Sequence, residues 1–138
     1  MSTTPRGIRN ANPGNIDRNA TKWQGMAADQ SGDPRFVVFT EPKWGLRALA
    51  KVLLTYYRTH KLDTPMAIVN RWAPPSENDT LAYAGQIAKA LGVARGERIN
   101  VEDPAVLAPL VKAIVQHENG QQPYPDDLIA EAVRLALE

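Results

Sequence analysis

The chain has 138 residues, a length typical of one domain, and its 43% hydrophobic and 22% charged residues argue against disorder. Sixteen Lys and Arg residues nearly balance fifteen Asp and Glu residues, so the net charge of +1 does not favour a nucleic-acid partner. No apolar run approaches about 18 residues, and the N-terminal stretch is polar, so we expect neither membrane insertion nor a signal peptide. Cysteine is absent and the two histidines, His60 and His117, are isolated in sequence. We therefore expect no disulfide, no metal site and no cofactor.

Residues 5–42 are rich in Gly, Asn, Pro and Asp, which are the residues that form turns. The segment Arg35–Thr40 (RFVVFT) predicts a strand, and a shorter strand is predicted around Gly14–Arg18. This part of the chain is therefore expected to form a small, loop-rich β-hairpin region.

Residues 42–138 have the periodicity of helices, and about five are predicted. The first begins at Pro42, and its expected apolar face comprises Trp44, Leu49, Val52, Leu53 and Tyr56. The others follow from capping residues: Thr64-Pro65 to about Trp72, Asp79 or Thr80 to Gly92, Asp103-Pro104 to Gly120, and a last helix capped by Asp126. The expected fold is mainly α (α+β), in one domain spanning 1–138.

Glu118 is the most informative residue of the sequence. It falls in the last turn of an apolar helix, two residues before the glycine that ends it. The carbonyl end of a helix and burial beside Ile114 and Val115 both disfavour a negative charge, which suits a general acid. The alternative is a solvated glutamate at a frayed helix end.

The segment 72–83, WAPPSENDTLAY, places aromatic rings next to amide and carboxylate groups. Such a mixture suits a sugar chain, because sugar rings have apolar faces and hydroxyl rims. Trp72, Glu77, Asn78 and Tyr83 are the candidate ligands. Asp79 and Thr80 could instead be ordinary helix caps, and we expect Asp79 to have this structural role. Trp72 could instead be part of the hydrophobic core.

The segment 6–16, RGIRNANPGNI, offers Asn10, Asn12 and Asn15 as hydrogen-bonding groups. Its glycines allow a ligand to approach the backbone, although turn formation explains much of this composition without a ligand. The spacing is not that of a phosphate-binding loop.

These segments resemble known sequences. One segment, LVKAIVQHENGQQPY, resembles the catalytic helix of the lysozyme superfamily. Three further segments resemble parts that follow the catalytic helix in that superfamily: NPGNI, KWQG and FVVFTEPKWGLRALAKVL. In this chain these three segments precede the helix. The order is that of a circular permutation. The whole chain also resembles a phage and prophage family of virion structural or lysozyme-like proteins. The shared motifs are RNxNPGNI, Trp-x-Gly, Phe-x-x-Phe, Gly-x-Arg-Ala-Leu, WAPPSENDT-x-x-Tyr and Glu-Asn-Gly.

The resemblance implies a lysozyme-like fold and a peptidoglycan-cleaving enzyme, either a glycoside hydrolase or a lytic transglycosylase. Glu118 would be the acid and Glu41 the preferred second carboxylate, with Asp17, Glu77 and Asp79 as alternatives. Since the permuted order restores the usual neighbours through space, Glu118 is predicted to face the Asn10–Ile16 loop. Further expected contacts with the glycan are Arg9, Trp23, Gln122 and Tyr124.

Two alternatives remain open at this stage. One is a non-catalytic virion or wall-binding protein, and the other is a secreted antibacterial toxin domain with the same activity. The expected partner in each case is peptidoglycan, and the expected oligomeric state is a monomer. We expect synthesis in the host cytoplasm and action at the cell wall or periplasm, or carriage in the virion.

Overall fold

A computed structural model describes residues 4–75 and 79–138, and within these ranges the protein is mainly helical, as predicted. The described helices, in chain order, are α1 (Arg6–Arg9), α2 (Pro42–Arg58), α3 (Pro65–Trp72), α4 (Thr80–Leu91), α5 (Pro104–Asn119) and α6 (Asp126–Leu137). Five of them match the helices predicted from the sequence. The short α1 lies in the segment predicted as loop.

Most predicted helix boundaries are confirmed by their capping contacts. Side chains of Thr64, Asp79 and Asp103 accept backbone N–H bonds at the starts of α3, α4 and α5, at 3.1, 3.2 and 2.9 Å. Gly92 and Gly120 end α4 and α5 with a φ of +71°, which glycine adopts without steric cost. The prediction for α6 is wrong in one detail, because Pro125 is the N-cap and Asp126 is the first helical residue.

The core lies between the long helices. Helix α2 packs on α6, α3 packs on α4, and α5 contacts both α4 and α6. The buried face of α2 is formed by Leu46, Leu49, Ala50, Leu53 and Leu54. Leu49 and Leu53 thus belong to both the predicted and the observed buried face of α2. Val52 and Tyr56, which were also predicted there, are only partly buried and line a groove beside α2.

Residues 10–40 do not form the predicted strands. Among the described residues, β pairing is limited to two isolated antiparallel bridges, Asp17 with Phe36 and Met26 with Phe39. Side chains take up many of the backbone groups that a ladder would use. Asn12 binds the carbonyls of Ile16 and Val37, and Gln30 binds both backbone groups of Val38. These side-chain bonds occupy backbone groups that a regular sheet would use, and the Asn12 bond to Val37 spans 25 positions of sequence.

A second, smaller cluster attaches this region to the helices. Val37 and Phe39 are buried against Ala48 of α2, with Trp23 and Trp44 packed at the edge. None of the helices in the described residues combines the length and apolarity needed to cross a bilayer.

Candidate functional site

Glu118 lies in the last turn of α5, half-buried, with its carboxylate turned towards the N-terminal region. The Tyr83 hydroxyl donates a hydrogen bond of 3.1 Å to Oε2. Asn15 Nδ2 lies 3.5 Å from Oε1, at the outer limit of a hydrogen bond. One carboxylate oxygen is therefore firmly held, while the other has only a weak contact from Asn15.

Tyr83 supplies the firm contact from within the core. Its side chain is fully buried on α4, and burial raises the pKa of its hydroxyl well above the ordinary value, with the Glu118 charge adding to the effect. The hydroxyl thus stays protonated and can act as a donor. Because a carboxylate can only accept, the contact runs in one direction, from the Tyr83 hydroxyl to Glu118.

The imidazole ring of His117 covers one face of the Tyr83 ring. The two rings are stacked with centroids 3.6 Å apart and planes inclined by 20°. The Nδ1 atom of His117 is 2.8 Å from Oε1 of Gln86. This contact holds the imidazole in place over one face of the phenol ring.

The segment around residues 12–16 is joined directly to the end of α5. Asn119 Nδ2 donates to the carbonyls of Pro13 and Val115, at 2.8 and 3.0 Å. Together with the Asn15 contact, this confirms the predicted approach of Glu118 to the Asn10–Ile16 loop, across 103 positions of sequence.

Gly7 permits this approach. A Cβ on Gly7 would lie 2.6 Å from Asn119 Oδ1 and 2.9 Å from both Asn15 Oδ1 and the Asn12 carbonyl oxygen. The two amide oxygens are buried and have no hydrogen-bond partner among the described residues. Both oxygens occupy the space beside Gly7 that a Cβ would enter.

A groove of about 460 Å³ opens beside Glu118, and more of its exposed lining is polar than apolar. It lies between the 14–19 segment, α2 and the end of α3. Its principal side chains are Asn15, Asp17, Arg35, Phe36, Val52, Tyr56, Arg71, Trp72 and Glu118. The groove thus combines aromatic surface, two cationic and two anionic side chains, and amide groups.

The four candidate second carboxylates differ in position. Asp17 lines the groove and forms an ion pair of 2.6 Å with Arg35. Glu41, which the sequence analysis preferred, is exposed at the N-cap of α2 and is not among the residues that line the groove. Asp79 caps α4, in agreement with the structural role expected for it. Glu77 lies outside the described residues, as does Asn78.

Of the expected glycan contacts, Asn15 and Trp72 line the groove with Glu118, and Tyr83 lies behind it. Asn10 and Asn12 are buried and bind other parts of the protein. Asn10 donates to Asp33 at 2.9 Å, and Asn12 contacts Ile16 and Val37. These two asparagines stabilise the loop rather than face the groove.

The remaining expected contacts lie elsewhere. Trp23 belongs to the smaller apolar cluster, and Arg9 is exposed without lining the groove. Gln122 hydrogen-bonds both backbone groups of Tyr124, whose ring is buried in the main core. Turn formation and packing account for these residues.

Tyr56 and Arg71 line the groove and were not found by sequence reasoning. Two signals were present in the sequence. Tyr56 lies four residues after Val52 on one helix face, and Arg71 directly precedes Trp72. Within the described residues, no group of three or more His, Asp or Glu side chains could hold a metal ion.

A mainly helical protein with a half-buried carboxylate over a polar and aromatic groove could belong to many families, and no protein-family model matches this chain. A full-length comparison is more informative. The chain is 38% identical over 133 residues to Protein P5 of Pseudoalteromonas phage PM2, an alignment that covers 94% of this chain and 80% of the relative. The chain therefore belongs to the family of this bacteriophage protein.

Proposed function

We propose that the groove binds a peptidoglycan strand and that Glu118 is the general acid that cleaves it, in a lysozyme-like phage enzyme. The observation that carries the proposal is the position of Glu118, a half-buried carboxylate at the wall of a groove of about 460 Å³. Its Oε2 atom is held by Tyr83, which leaves Oε1 for a proton exchanged with the substrate. Positioning of this kind is what a general acid requires.

The reaction would begin with transfer of a proton from Oε1 of Glu118 to the glycosidic oxygen. The bond between the anomeric carbon and that oxygen breaks, its electron pair stays on the leaving oxygen, and the sugar ring becomes oxocarbenium-like. Attack by water, or by a hydroxyl of the same sugar, completes hydrolysis or transglycosylation. The proton released by the attacking group returns to Glu118.

Asp17 is the carboxylate that fits a second role in this groove. Its ion pair with Arg35 orients it towards the same space that Glu118 lines. A carboxylate there would stabilise the positive charge of the ring or orient the attacking group. An alternative mechanism, in which the N-acetyl group of the substrate takes this role, requires no second carboxylate.

The aromatic side chains support a sugar as ligand. Trp72 and Tyr56 are partly buried in the groove wall, where their exposed ring surface is available for the apolar face of a pyranose. Asn15 and the charged side chains provide partners for hydroxyl and amide groups.

The direct test is release of soluble fragments from purified peptidoglycan by the wild-type protein and by Glu118→Gln. The substitution keeps the shape and removes the transferable proton, so cleavage is expected to fall by at least about 10²-fold. Glu131→Gln is the matched control, because Glu131 is exposed on α6 outside the groove, and its activity should equal that of wild type. Mass analysis of the fragments separates hydrolysis from transglycosylation.

Equal activity of wild type and Glu118→Gln would contradict the assignment. The alternative of a wall-binding virion protein makes a different prediction in the same experiment. Both proteins would sediment with peptidoglycan sacculi, and neither would release fragments.

A further inference from the structure

Arg71 is a charged side chain of the groove that the proposed cleavage reaction does not use. It is exposed in the last turn of α3, next to Trp72, and its guanidinium carbon lies 5.3 Å from the centroid of the Tyr56 ring. This cation–π contact places the guanidinium against an aromatic surface on the wall of the groove.

No carboxylate within the described part of the chain forms an ion pair with Arg71. The other arginine of the groove, Arg35, is paired with Asp17 at 2.6 Å, and Arg58 and Arg98 on a different surface are paired with Glu102 and Asp63. The charge of Arg71 is therefore balanced by none of the described acidic residues at ion-pair distance.

The guanidinium has a geometry that suits a carboxylate ligand. Its N–H groups form a planar fork that can bind both oxygens of a carboxylate at once, and the contact with the Tyr56 ring restricts the motion of that fork. A neutral sugar hydroxyl would use only one of these donors. An anionic substituent on a bound strand would use the charge as well.

We propose that Arg71 binds a carboxylate carried by the glycan strand, so that the groove selects strands with acidic substituents over neutral strands. The proposal rests on the proposed function, because it takes a glycan as the ligand of this groove. It adds a specificity-determining contact beside Trp72. Arg71 would bind a substituent of the strand rather than its reacting atoms.

Binding is measured in the Glu118→Gln background, so that the strands stay intact. The ligands are soluble, uncrosslinked peptidoglycan strands with free stem carboxylates, and the same strands after chemical conversion of those carboxylates to amides. The proteins compared are the parent, Arg71→Gln, Arg71→Lys and Arg95→Gln. Arg95 is a suitable control because it is exposed and does not line the groove.

Arg71→Gln is expected to weaken binding of the carboxylate strands about tenfold, in line with a charge-assisted contact, and to leave binding of the amidated strands unchanged. Arg71→Lys should retain part of the preference, because it keeps the charge and loses the fork. Arg95→Gln should behave as the parent. Added salt should weaken the parent's binding of carboxylate strands more than its binding of amidated strands.

Three results would overturn the inference. These are equal loss of affinity for both kinds of strand, no loss for either, and no binding of either strand by the parent. A role of Arg71 limited to the end of α3, where a cation is favourable, would lower the melting temperature without changing the preference between strands. Failure of the proposed function appears separately, as equal fragment release by wild type and Glu118→Gln.

Discussion

The hydroxyl of Tyr83 is the contact that gives Glu118 a defined orientation. It donates to Oε2 of Glu118 at 3.1 Å from a side chain that is itself fully buried. Asn15 makes a longer contact with the other carboxylate oxygen. A carboxylate held by one firm and one weak contact keeps its position and can still exchange a proton, as acid catalysis requires.

Tyr83→Phe should therefore reduce both cleavage and stability. The loss of the hydroxyl leaves Glu118 Oε2 without its partner, for which about 1–2 kcal/mol of unfolding free energy is expected. Cleavage of peptidoglycan should fall about tenfold, because Glu118 is no longer oriented. Urea unfolding and fragment release provide the two measurements.

The control for this substitution is Tyr57→Phe, on a partly buried tyrosine that does not line the groove. Its activity should remain that of wild type. Full activity of Tyr83→Phe would show that Glu118 acts without the Tyr83 contact.

The helices of this protein are the elements that its sequence predicts best. Thr64, Asp79 and Asp103 are capping residues, and Gly92 and Gly120 are stop residues whose effects depend on near neighbours in the chain. The confirmed starts and ends of α3, α4 and α5 follow from these local signals.

The N-terminal region was harder to predict because its structure depends on distant contacts. The pattern of Arg35–Thr40 is that of a strand, yet Asn12 and Gln30 occupy backbone groups that a ladder would use. The short α1 has four residues, too few for a periodic signal.

The candidate site was predicted only in part, because it too depends on contacts between residues that are distant in sequence. Glu118 was identified from its place in the last turn of a helix, and Trp72 from the mixture of aromatic, amide and carboxylate groups in segment 72–83. The groove position of Asp17, rather than Glu41, depends on how residues 14–19 pack against α2 and α3, which local sequence does not encode. Asn10 and Asn12 lie in a segment whose composition is typical of a ligand-binding loop. Only their burial and their contacts within the protein show that their role is structural.

Helix α1 and helix α5 meet at Gly7, and this contact gives the next prediction. Gly7→Ala would introduce a methyl group 2.6 Å from Asn119 Oδ1, so α1 or the end of α5 must shift. We expect a stability loss of about 1–3 kcal/mol, as for other overpacked sites, and loss of cleavage because Asn15 moves with the segment. Thermal unfolding and fragment release measure the two effects.

Gly96→Ala is the matched control, because a Cβ on Gly96 meets no atom within 4 Å. This variant should be as stable as wild type or more stable, since alanine reduces the freedom of the unfolded chain. A Gly7→Ala protein with unchanged stability and activity would contradict the packing argument.

At the scale of the whole molecule, the loop-rich region is held by a buried ionic contact. Asp33 is 1% exposed and accepts hydrogen bonds from the side chains of Arg6 and Asn10 and from the backbone of Arg35 and Phe36. The Arg6 hydrogen bond, with help from the others, holds the pKa of the Asp33 carboxyl well below its ordinary value of 3.8.

This lowered pKa predicts acid sensitivity. Folding stabilises the ionised form, so the contribution of Asp33 is present above its unfolded-state pKa of 3.8 and is lost progressively as the pH falls below that value. The unfolding free energy, measured by urea titration from pH 7 to pH 3, should fall with the pH. Asp33→Asn should be less stable than wild type at pH 7 and should show a flatter decline.

Glu131→Gln serves as control for the removal of a carboxylate, because Glu131 is exposed. Its stability profile should follow that of wild type. Parallel profiles for Asp33→Asn and wild type would mean that Asp33 does not cause the acid sensitivity.

The contact between Asn119 and Pro13 also has a consequence for the order in which the protein matures on the ribosome. Translation delivers the 12–16 segment first and the aromatic wall of Tyr56 and Trp72 next, whereas Glu118 comes 103 positions after Asn15. A nascent chain that has not yet reached α5 can form part of the groove but lacks the carboxylate. If Glu118 is the acid, catalytic competence arises only when the end of α5 has been made and docks onto a loop that was made before it.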